Sequence, residues 1–281
     1  MKRYLVSTGT LPMCVGKQFT DYVGIFEALK LLDVDGIELV FLPEWDASLP
    51  PVTPTSANWA DTPKITTREL VGLVLSNGVF APVVHVNRDV GNMLCTTIDE
   101  ATILRGQRIL EDNLIGASRL GSKIAVLHLW DTRCTHLDLR DIFDKVYVVS
   151  KDFEIRLAME NVPISDKSLD VTSAWSRLAN LMPPNYGFTL DLNWCSLYDD
   201  FFELLHFENL LLNVHVQGLP SKTEGGQFRL VPRTGGLDIE KSLFDLNQAG
   251  YNGYLTLEMN KPTAAKDFVE AIKMIKEAGL G

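Results

Sequence analysis

The stretch RTGGLDIEKSLFDLNQAGYNGYLTLEM, residues 233–259, contains one complete helix–strand unit. Asp238 precedes apolar residues at helical spacing and is a typical N-cap, and Gly250 is a typical stop after such a helix. The apolar run that follows, residues 253–258, predicts a buried strand that ends on Glu258. This unit therefore predicts a helix followed by a strand with an acid at its carboxyl end.

The same alternation of helical segments and apolar runs occupies the whole chain. Eight runs predict strands, at residues 4–8, 36–41, 79–86, 123–129, 155–160, 187–192, 211–216 and 253–258. These runs are continuous, which is typical of parallel strands that are covered on both faces. Eight unbroken βα units predict an α/β fold, a single (β/α)8 TIM barrel domain over residues 1–281 with eight parallel strands. A doubly wound sheet is the rival, but it gives no reason for the register of the polar residues described below.

The sequence also predicts where several helices begin and contains one long loop. Thr66 with Glu69, and Thr97 with Glu100, fit capping boxes that would open two helices. The segment SLYDDFFELLHF, residues 196–207, predicts one helix. The connection of residues 42–64, after the second strand, has five prolines and two tryptophans. Loops this long are usually functional or disordered, so both a packed surface excursion and a partial lid over a pocket fit it.

Composition excludes several classes of partner. The 281 residues carry a formal net charge of −10 and the pI is about 5.0, which argues against a nucleic-acid surface and against docking on an anionic membrane. No apolar run is long enough to span a membrane, and the N-terminal stretch lacks the apolar region of a signal peptide. Four widely spaced cysteines predict reduced thiols and a cytoplasmic location: Cys14, Cys95, Cys134 and Cys195.

Four polar residues lie at or near the ends of separate predicted strands. They are Glu160, Asp191, His215 and Glu258. Burying an unpaired charge costs several kcal/mol or shifts its pKa, so three acids and a histidine at one end of a sheet need a compensating cation. Three carboxylates and one imidazole suit one divalent metal ion, Mn²⁺, Mg²⁺, Co²⁺ or Zn²⁺. The alternative is a structural hydrogen-bond network.

Other polar residues fall at the same ends of the predicted strands. Glu38 lies in the second strand, His85 and His128 end the third and fourth, and Asn161 follows the fifth. They are candidates to bind substrate or to support the metal ligands. For the two histidines, a hydrogen bond to a neighbouring acid in the core is an equal alternative.

The order of these pieces resembles the xylose isomerase-like superfamily of TIM barrels across essentially the whole chain. The matching motifs, besides residues 233–259, are GIEL (36–39), VVHVN (83–87), AMEN (158–161), TLDLN (189–193) and NVHVQG (213–218). The resemblance implies that Glu160, Asp191, His215 and Glu258 bind the metal. It also implies that Glu160 and Glu258 exchange protons with a substrate carbon.

The resemblance implies a divalent-metal-dependent isomerase or epimerase of a small sugar or polyol derivative. The reaction would be proton transfer through a metal-stabilised enediolate, with Mn²⁺ as the favoured ion. An inosose dehydratase-type lyase uses the same ion and the same logic, and a catalytically silent barrel that binds a ligand is a further alternative. Related barrels often pair into dimers or tetramers, so a homo-oligomer is compatible with this family.

Two positions depart from the pattern of the superfamily. Many members have a histidine where this chain has Trp194, and an aspartate where it has Gly218. Both departures weigh against a three-metal endonuclease that cleaves abasic DNA. Trp194 would give the pocket an apolar wall. Arg229 and Arg233, after the seventh strand, are candidates to bind a phosphate or carboxylate, and exposed arginines in a loop are the equal alternative.

Overall fold

Nine strands, ten α-helices and one short 3-10 helix (Glu208–Leu210) make up the regular structure of the described residues. The computed structural model describes residues 3–11, 21–41, 65–95, 99–130, 134–259 and 265–279. The strands are β1 (Arg3–Ser7), β2 (Gly36–Val40), β3 (Val83–His85), β4 (Ile124–Leu127), β5 (Arg156–Glu160), β6 (Gly187–Asp191), β7 (Leu211–Lys222), β8 (Phe228–Val231) and β9 (Tyr254–Met259). The helices are α1 (Tyr22–Leu29), α2 (Thr67–Ser76), α3 (Asp89–Cys95), α4 (Glu100–Leu120), α5 (Leu139–Ser150), α6 (Val171–Ala179), α7 (Leu192–Tyr198), α8 (Phe201–Leu205), α9 (Ile239–Gln248) and α10 (Ala265–Gly279).

The order of hydrogen-bonded strands confirms the predicted fold class. That order is β6-β5-β4-β3-β2-β1-β9-β7-β8, and a further pairing joins β6 to β7. Leaving out the short β8, the eight strands therefore close into a parallel barrel with helices between them. All eight predicted strands are present. The described residues fall into two compact units, residues 1–39 with 188–281 and residues 40–187. The prediction of a single domain over residues 1–281 stays a prediction.

In the first unit, β9 lies between β1 and β7, and both pairings are parallel. The barrel strand β7 continues to Lys222, well past the predicted end at residue 216, because its last residues form an antiparallel hairpin with β8. This hairpin was not predicted from the sequence. Asp238 caps α9 as predicted, since its carboxylate accepts from the backbone N–H of Lys241. Gly250 follows this helix with a φ of +87°, which suits a glycine.

The segment 196–207 does not form the one helix that was predicted. Helix α7 ends at Tyr198, and α8 begins at Phe201. Asp199 separates the two helices, with a left-handed φ of 53°. Aspartate tolerates this conformation because its short polar side chain can bond locally, so the apolar spacing alone could not locate the break.

In the second unit, the parallel strands β3, β4 and β5 pair in register, with His85 beside Val126 and Leu127 beside Met159. The Thr66–Glu69 capping box of α2 is confirmed in both directions. Helix α4 is capped by Asp99 instead of the predicted Thr97, which lies outside the described residues.

Two further predictions concern the loop of residues 42–64 and the absence of a membrane span. The loop lies outside the described residues, so the proposed lid stays a prediction. Within the described ranges, no helix combines the length and the apolar character that a membrane crossing requires.

Candidate functional site

The first unit brings three of the predicted metal ligands onto neighbouring strands. Asp191 ends β6 and lies in register with His215 of β7. On the other side of β7, Gln217 lies in register with Glu258 of β9. Because side chains two residues apart on a strand share a face, His215 and Gln217 point to the same side of β7. The parallel register thus brings the ends of β6 and β9 beside the middle of β7.

Asp191 is held by the start of the helix that follows it. Its side chain is fully buried, and one carboxylate oxygen accepts from the backbone N–H groups of Asn193 at 2.7 Å and Trp194 at 3.1 Å. The residue is thereby the N-cap of α7. The two bonds fix the orientation of the carboxylate at the end of the strand.

His215 is buried between two carboxylates of the same unit. Its Nε2 lies 3.0 Å from Oε2 of Glu38, and its Nδ1 lies 3.8 Å from Oε2 of Glu258. The first distance is a hydrogen bond, whereas the second is too long for one. Two ligands of one octahedral ion with bonds of 2.0–2.1 Å are about 3 Å apart, so the second gap needs little closure to hold an ion. Ligand atoms of Glu38, His215 and Glu258 all lie within 4.8 Å of one another.

Glu38 of β2 contacts a second residue of β7, Asn213. Its side chain is fully buried, and Oε2 also accepts from Nδ2 of Asn213 at 2.8 Å. The amide oxygen of Asn213 accepts in turn from the hydroxyl of Thr256 at 2.9 Å. Four side chains from three strands therefore form one buried polar chain that ends on His215.

The second unit brings together Glu160, His85 and His128. Oε2 of Glu160 lies 3.3 Å from Nε2 of His85 and 2.9 Å from Nε2 of His128. Ligand atoms of these three residues also lie within 4.8 Å of one another. Both histidines therefore lie within hydrogen-bond distance of this buried acid.

The hydrogen bonds of His85 favour a cation near Glu160. Its Nδ1 lies 2.8 Å from the carbonyl oxygen of Val86, and a carbonyl oxygen can only accept, so Nδ1 carries a hydrogen. Nε2 is then a donor to Glu160 only if the ring is doubly protonated. In the neutral ring, its lone pair faces the carboxylate, which favours a cation between them.

Burial keeps His128 neutral. It lowers the pKa of this imidazole to about 4, although the neighbouring Glu160 carboxylate pulls the pKa upward. At neutral pH, His128 therefore donates one hydrogen bond to Glu160 without bringing a compensating charge. The ring packs edge-on against His85, with centroids 4.9 Å apart.

The other predicted substrate residues are more dispersed. Asn161 is buried directly after Glu160, and Trp194 is half-buried at the start of α7. Arg229 forms an ion pair of 3.4 Å with Asp238, with both side chains over 40% exposed. Arg233 is exposed, and its backbone N–H donates to Oδ1 of Asn193. A role in substrate binding stays a prediction for each of them.

Three polar residues of the first unit were not among the site residues predicted from the sequence. Gln217 donates its amide to Oε2 of Glu258 at 3.1 Å, and Asn213 and Thr256 belong to the chain that reaches His215. A signal was available, because in NVHVQ polar residues alternate with apolar ones. That alternation places residues 213, 215 and 217 on one face of a buried strand.

The chain belongs to the xylose isomerase-like TIM barrel family, whose sequence model matches residues 20–278. No curated protein shows significant sequence similarity to it.

Several solved structures share the fold. A D-tagatose 3-epimerase-like protein has a TM-score of 0.63 at 17% identity, covering 98% of this chain and 96% of that one. D-allulose 3-epimerase from Methylomonas sp., in complex with D-allulose, has a TM-score of 0.62 at 15% identity, with 99% and 93% covered. A 3-keto-D-glucoside 4-epimerase from E. coli has a TM-score of 0.62 at 16% identity, with 99% and 100% covered. At this level of identity the likeness establishes the fold.

Proposed function

We propose that this protein is a divalent-metal-dependent isomerase or epimerase that acts on a small sugar or polyol derivative. The observation that carries the proposal is the position of the buried His215 between the carboxylates of Glu38 and Glu258. The fold supports it as well, since the similar structures named above are a sugar epimerase in complex with D-allulose, a keto-glucoside epimerase and an epimerase-like protein.

The residues of both units suit a metal ion chemically. We propose Glu160, Asp191, His215 and Glu258 as its ligands. Three carboxylates and one imidazole are hard to borderline donors, which favours Mn²⁺, with Zn²⁺, Mg²⁺ and Co²⁺ as alternatives. A cation would also neutralise the negative charge of Glu160, because the neighbouring His128 is neutral at physiological pH. When bound, the ion supplies Lewis acidity that stabilises negative charge on the substrate oxygens.

Glu160 and Glu258 are the proposed proton carriers. The side chain of Glu258 is 14% exposed, which lets it reach a substrate, whereas Glu160, at 4% exposed, is proposed on the resemblance to the family. Gln217 holds one oxygen of Glu258 in place. In the second unit, His128 donates to Glu160, and His85 also lies within hydrogen-bond distance of it. One carboxylate would remove a proton beside the carbonyl, and the other would return one.

The departure at Gly218 has a steric cause that bears on the choice of function. A Cβ at this position would lie 3.0 Å from the carbonyl oxygen of Val231 and 3.0 Å from Cδ1 of Ile239. An aspartate, found here in many relatives, would therefore force the β7–β8 hairpin or α9 to move. This supports a site without the extra acid of a three-metal endonuclease. A cytoplasmic location and a homo-oligomeric state stay predictions.

The first test is calorimetric titration of Mn²⁺ into chelator-stripped protein. We expect one binding site in the wild type and weaker binding in Glu160→Gln and Glu258→Gln. Glu203→Gln, which changes an exposed glutamate on α8, is the matched control and should bind like the wild type.

The second test is incubation of the loaded enzyme with keto-sugars in deuterated water. We expect deuterium to enter the substrate at carbon in the wild type, and none to enter with either glutamine variant. If the protein binds metal and yet no tested keto-sugar gains deuterium, proton transfer at carbon is wrong. A dehydrated product would then identify a lyase, and metal binding with no turnover would identify a silent barrel.

A further inference from the structure

The buried chain Thr256–Asn213–Glu38–His215 has a defined direction. A hydroxyl donates to Oδ1 of Asn213, which turns the amide nitrogen of the same side chain towards Glu38. Glu38 accepts there and accepts again from Nε2 of His215. Both bonds reach the same oxygen, Oε2, so one atom is fixed by donors from two residues of β7.

This arrangement selects one form of the imidazole. A carboxylate oxygen only accepts, so Nε2 of His215 carries the hydrogen. In the neutral ring, the lone pair is then on Nδ1, the nitrogen that lies 3.8 Å from Oε2 of Glu258. Histidines that bind metals generally donate their other N–H to a carboxylate or carbonyl, which fixes the tautomer and the ring and raises ligand basicity.

We propose that Glu38 is a positioning residue, which holds His215 as the Nε2–H tautomer with Nδ1 directed at the metal ion. This inference rests on the proposed function. Of the two roles expected for Glu38, substrate binding and support of a metal ligand, it selects the second, in keeping with a side chain that is 0% exposed. Asn213 and Thr256 hold Glu38 in turn, so a change at Thr256 should reach His215 through two intervening side chains.

A merely structural role for Glu38 makes a different prediction. If the carboxylate only satisfies the amide of Asn213, removing it should lower the free energy of unfolding and leave the metal affinity of the folded protein unchanged. If Glu38 instead positions His215, removing the carboxylate should lower the metal affinity and allow both tautomers of His215 to be populated. The two readouts therefore separate the roles.

The variants are Glu38→Leu and Thr256→Val, with Thr189→Val as the matched control. Leucine removes the acceptor of both bonds, whereas the amide oxygen of a glutamine could keep them. Thr189 is also fully buried on a strand of the first unit, and among the described residues its hydroxyl has no hydrogen-bond partner. Thr256→Val removes only the hydroxyl at the far end of the chain. It therefore remains informative if Glu38→Leu fails to fold.

Two measurements test the proposal. Calorimetry with Mn²⁺ should give an affinity roughly 10- to 100-fold weaker in Glu38→Leu, a smaller loss in Thr256→Val and no loss in Thr189→Val. Nitrogen NMR of ¹⁵N-histidine protein without metal, above about pH 8, should show His215 as the Nε2–H form in the wild type and as a mixture in Glu38→Leu. A His215→Gln sample assigns the signals.

Each failure has its own signature. Wild-type affinity and a single tautomer in folded Glu38→Leu would overturn the positioning role and leave the proposed function standing. No binding of Mn²⁺ by the wild type would overturn the proposed function, and the tautomer measured without metal would still decide whether Glu38 orients His215.

Discussion

Gln217 of β7 lies in register with Glu258 of β9, and its side-chain amide donates to Oε2 of Glu258 at 3.1 Å. The donor is neutral, so it orients the carboxylate without adding a positive charge beside it. In the proposed reaction, Glu258 must hold its orientation while it removes or returns a proton at carbon. The bond therefore connects the strand register directly to the proposed chemistry.

Gln217→Leu should lower kcat while changing KM little. Hydrogen bonds to charged groups contribute about 1.5–3 kcal/mol when buried, and this pair is partly exposed, so we expect a loss of about tenfold, or about 1.4 kcal/mol. The measurement is steady-state kinetics on the substrate found in the deuterium screen, with thermal unfolding as the control for folding. An unchanged kcat in the folded variant would contradict the assignment.

Mn²⁺ should raise the thermal unfolding midpoint of the wild type and not that of Asp191→Asn. An ion that binds only the folded state stabilises by about 2.7 kcal/mol at one hundred times its Kd, which corresponds to about 5 to 10 °C in a chain of this size. Asp191→Asn removes a ligand charge while its remaining amide oxygen can still cap α7. Scanning calorimetry with and without Mn²⁺ measures the difference. Equal increases in both proteins would place the ion elsewhere.

Gly91→Ala should destabilise the fold, and Gly72→Ala should stabilise it. Both glycines lie in helices, but a Cβ at Gly91 would overlap the backbone oxygen of His128, whereas nothing lies within 4 Å of a Cβ at Gly72. Overpacking of this kind costs about 1–3 kcal/mol, and replacing an unhindered helical glycine by alanine gains about 0.5–1 kcal/mol. Urea denaturation of the pair measures both. A stabilising Gly91→Ala would mean that α3 can move away from the end of β4 without cost.

The barrel strands were predictable because each is a continuous, mostly apolar run. Asp191, His215 and Glu258 were noticeable in the sequence because they are charged or ionisable residues within or at the ends of such runs, and their role as metal ligands stays a prediction. The spacing of apolar residues could not reveal the break between α7 and α8, because the break depends on the left-handed backbone conformation of one residue, Asp199. It also could not reveal the β7–β8 hairpin, because its second strand, Phe228–Val231, is too short to give a clear pattern.

The proposed roles of Glu38 and Gln217 could be assigned only from the way the strands pair in the sheet. Glu38 and Asn213 are 175 residues apart in sequence, and only the folding of β2 and β7 into one unit makes them partners. Gln217 could be placed on the face of His215 by alternation, but its bond to Glu258 depends on how β7 pairs with β9. Long-range polar pairs of this kind leave no signal in a single sequence.

Asp166 should make stability depend on pH in the acid range. Its carboxylate accepts from the hydroxyl of Ser168 at 2.6 Å, and from the backbone N–H groups of Ser168 and Leu137. These bonds, led by the hydroxyl, lower the pKa of Asp166 to about 2. Since the folded pKa lies below the unfolded value of about 3.9, the contribution is complete above the unfolded pKa and is lost as the pH falls towards 2.

Asp166→Asn should therefore be less stable than the wild type near pH 6, and the difference should shrink by about pH 3. Urea denaturation at several pH values measures it. Ser168→Ala should remove part of the same pH dependence, because it deletes the largest cause of the lowered pKa while keeping the carboxylate. A difference that stays constant between pH 6 and pH 3 would show that Asp166 stabilises the link between the loops before α5 and α6 by its shape alone, with no contribution from its charge.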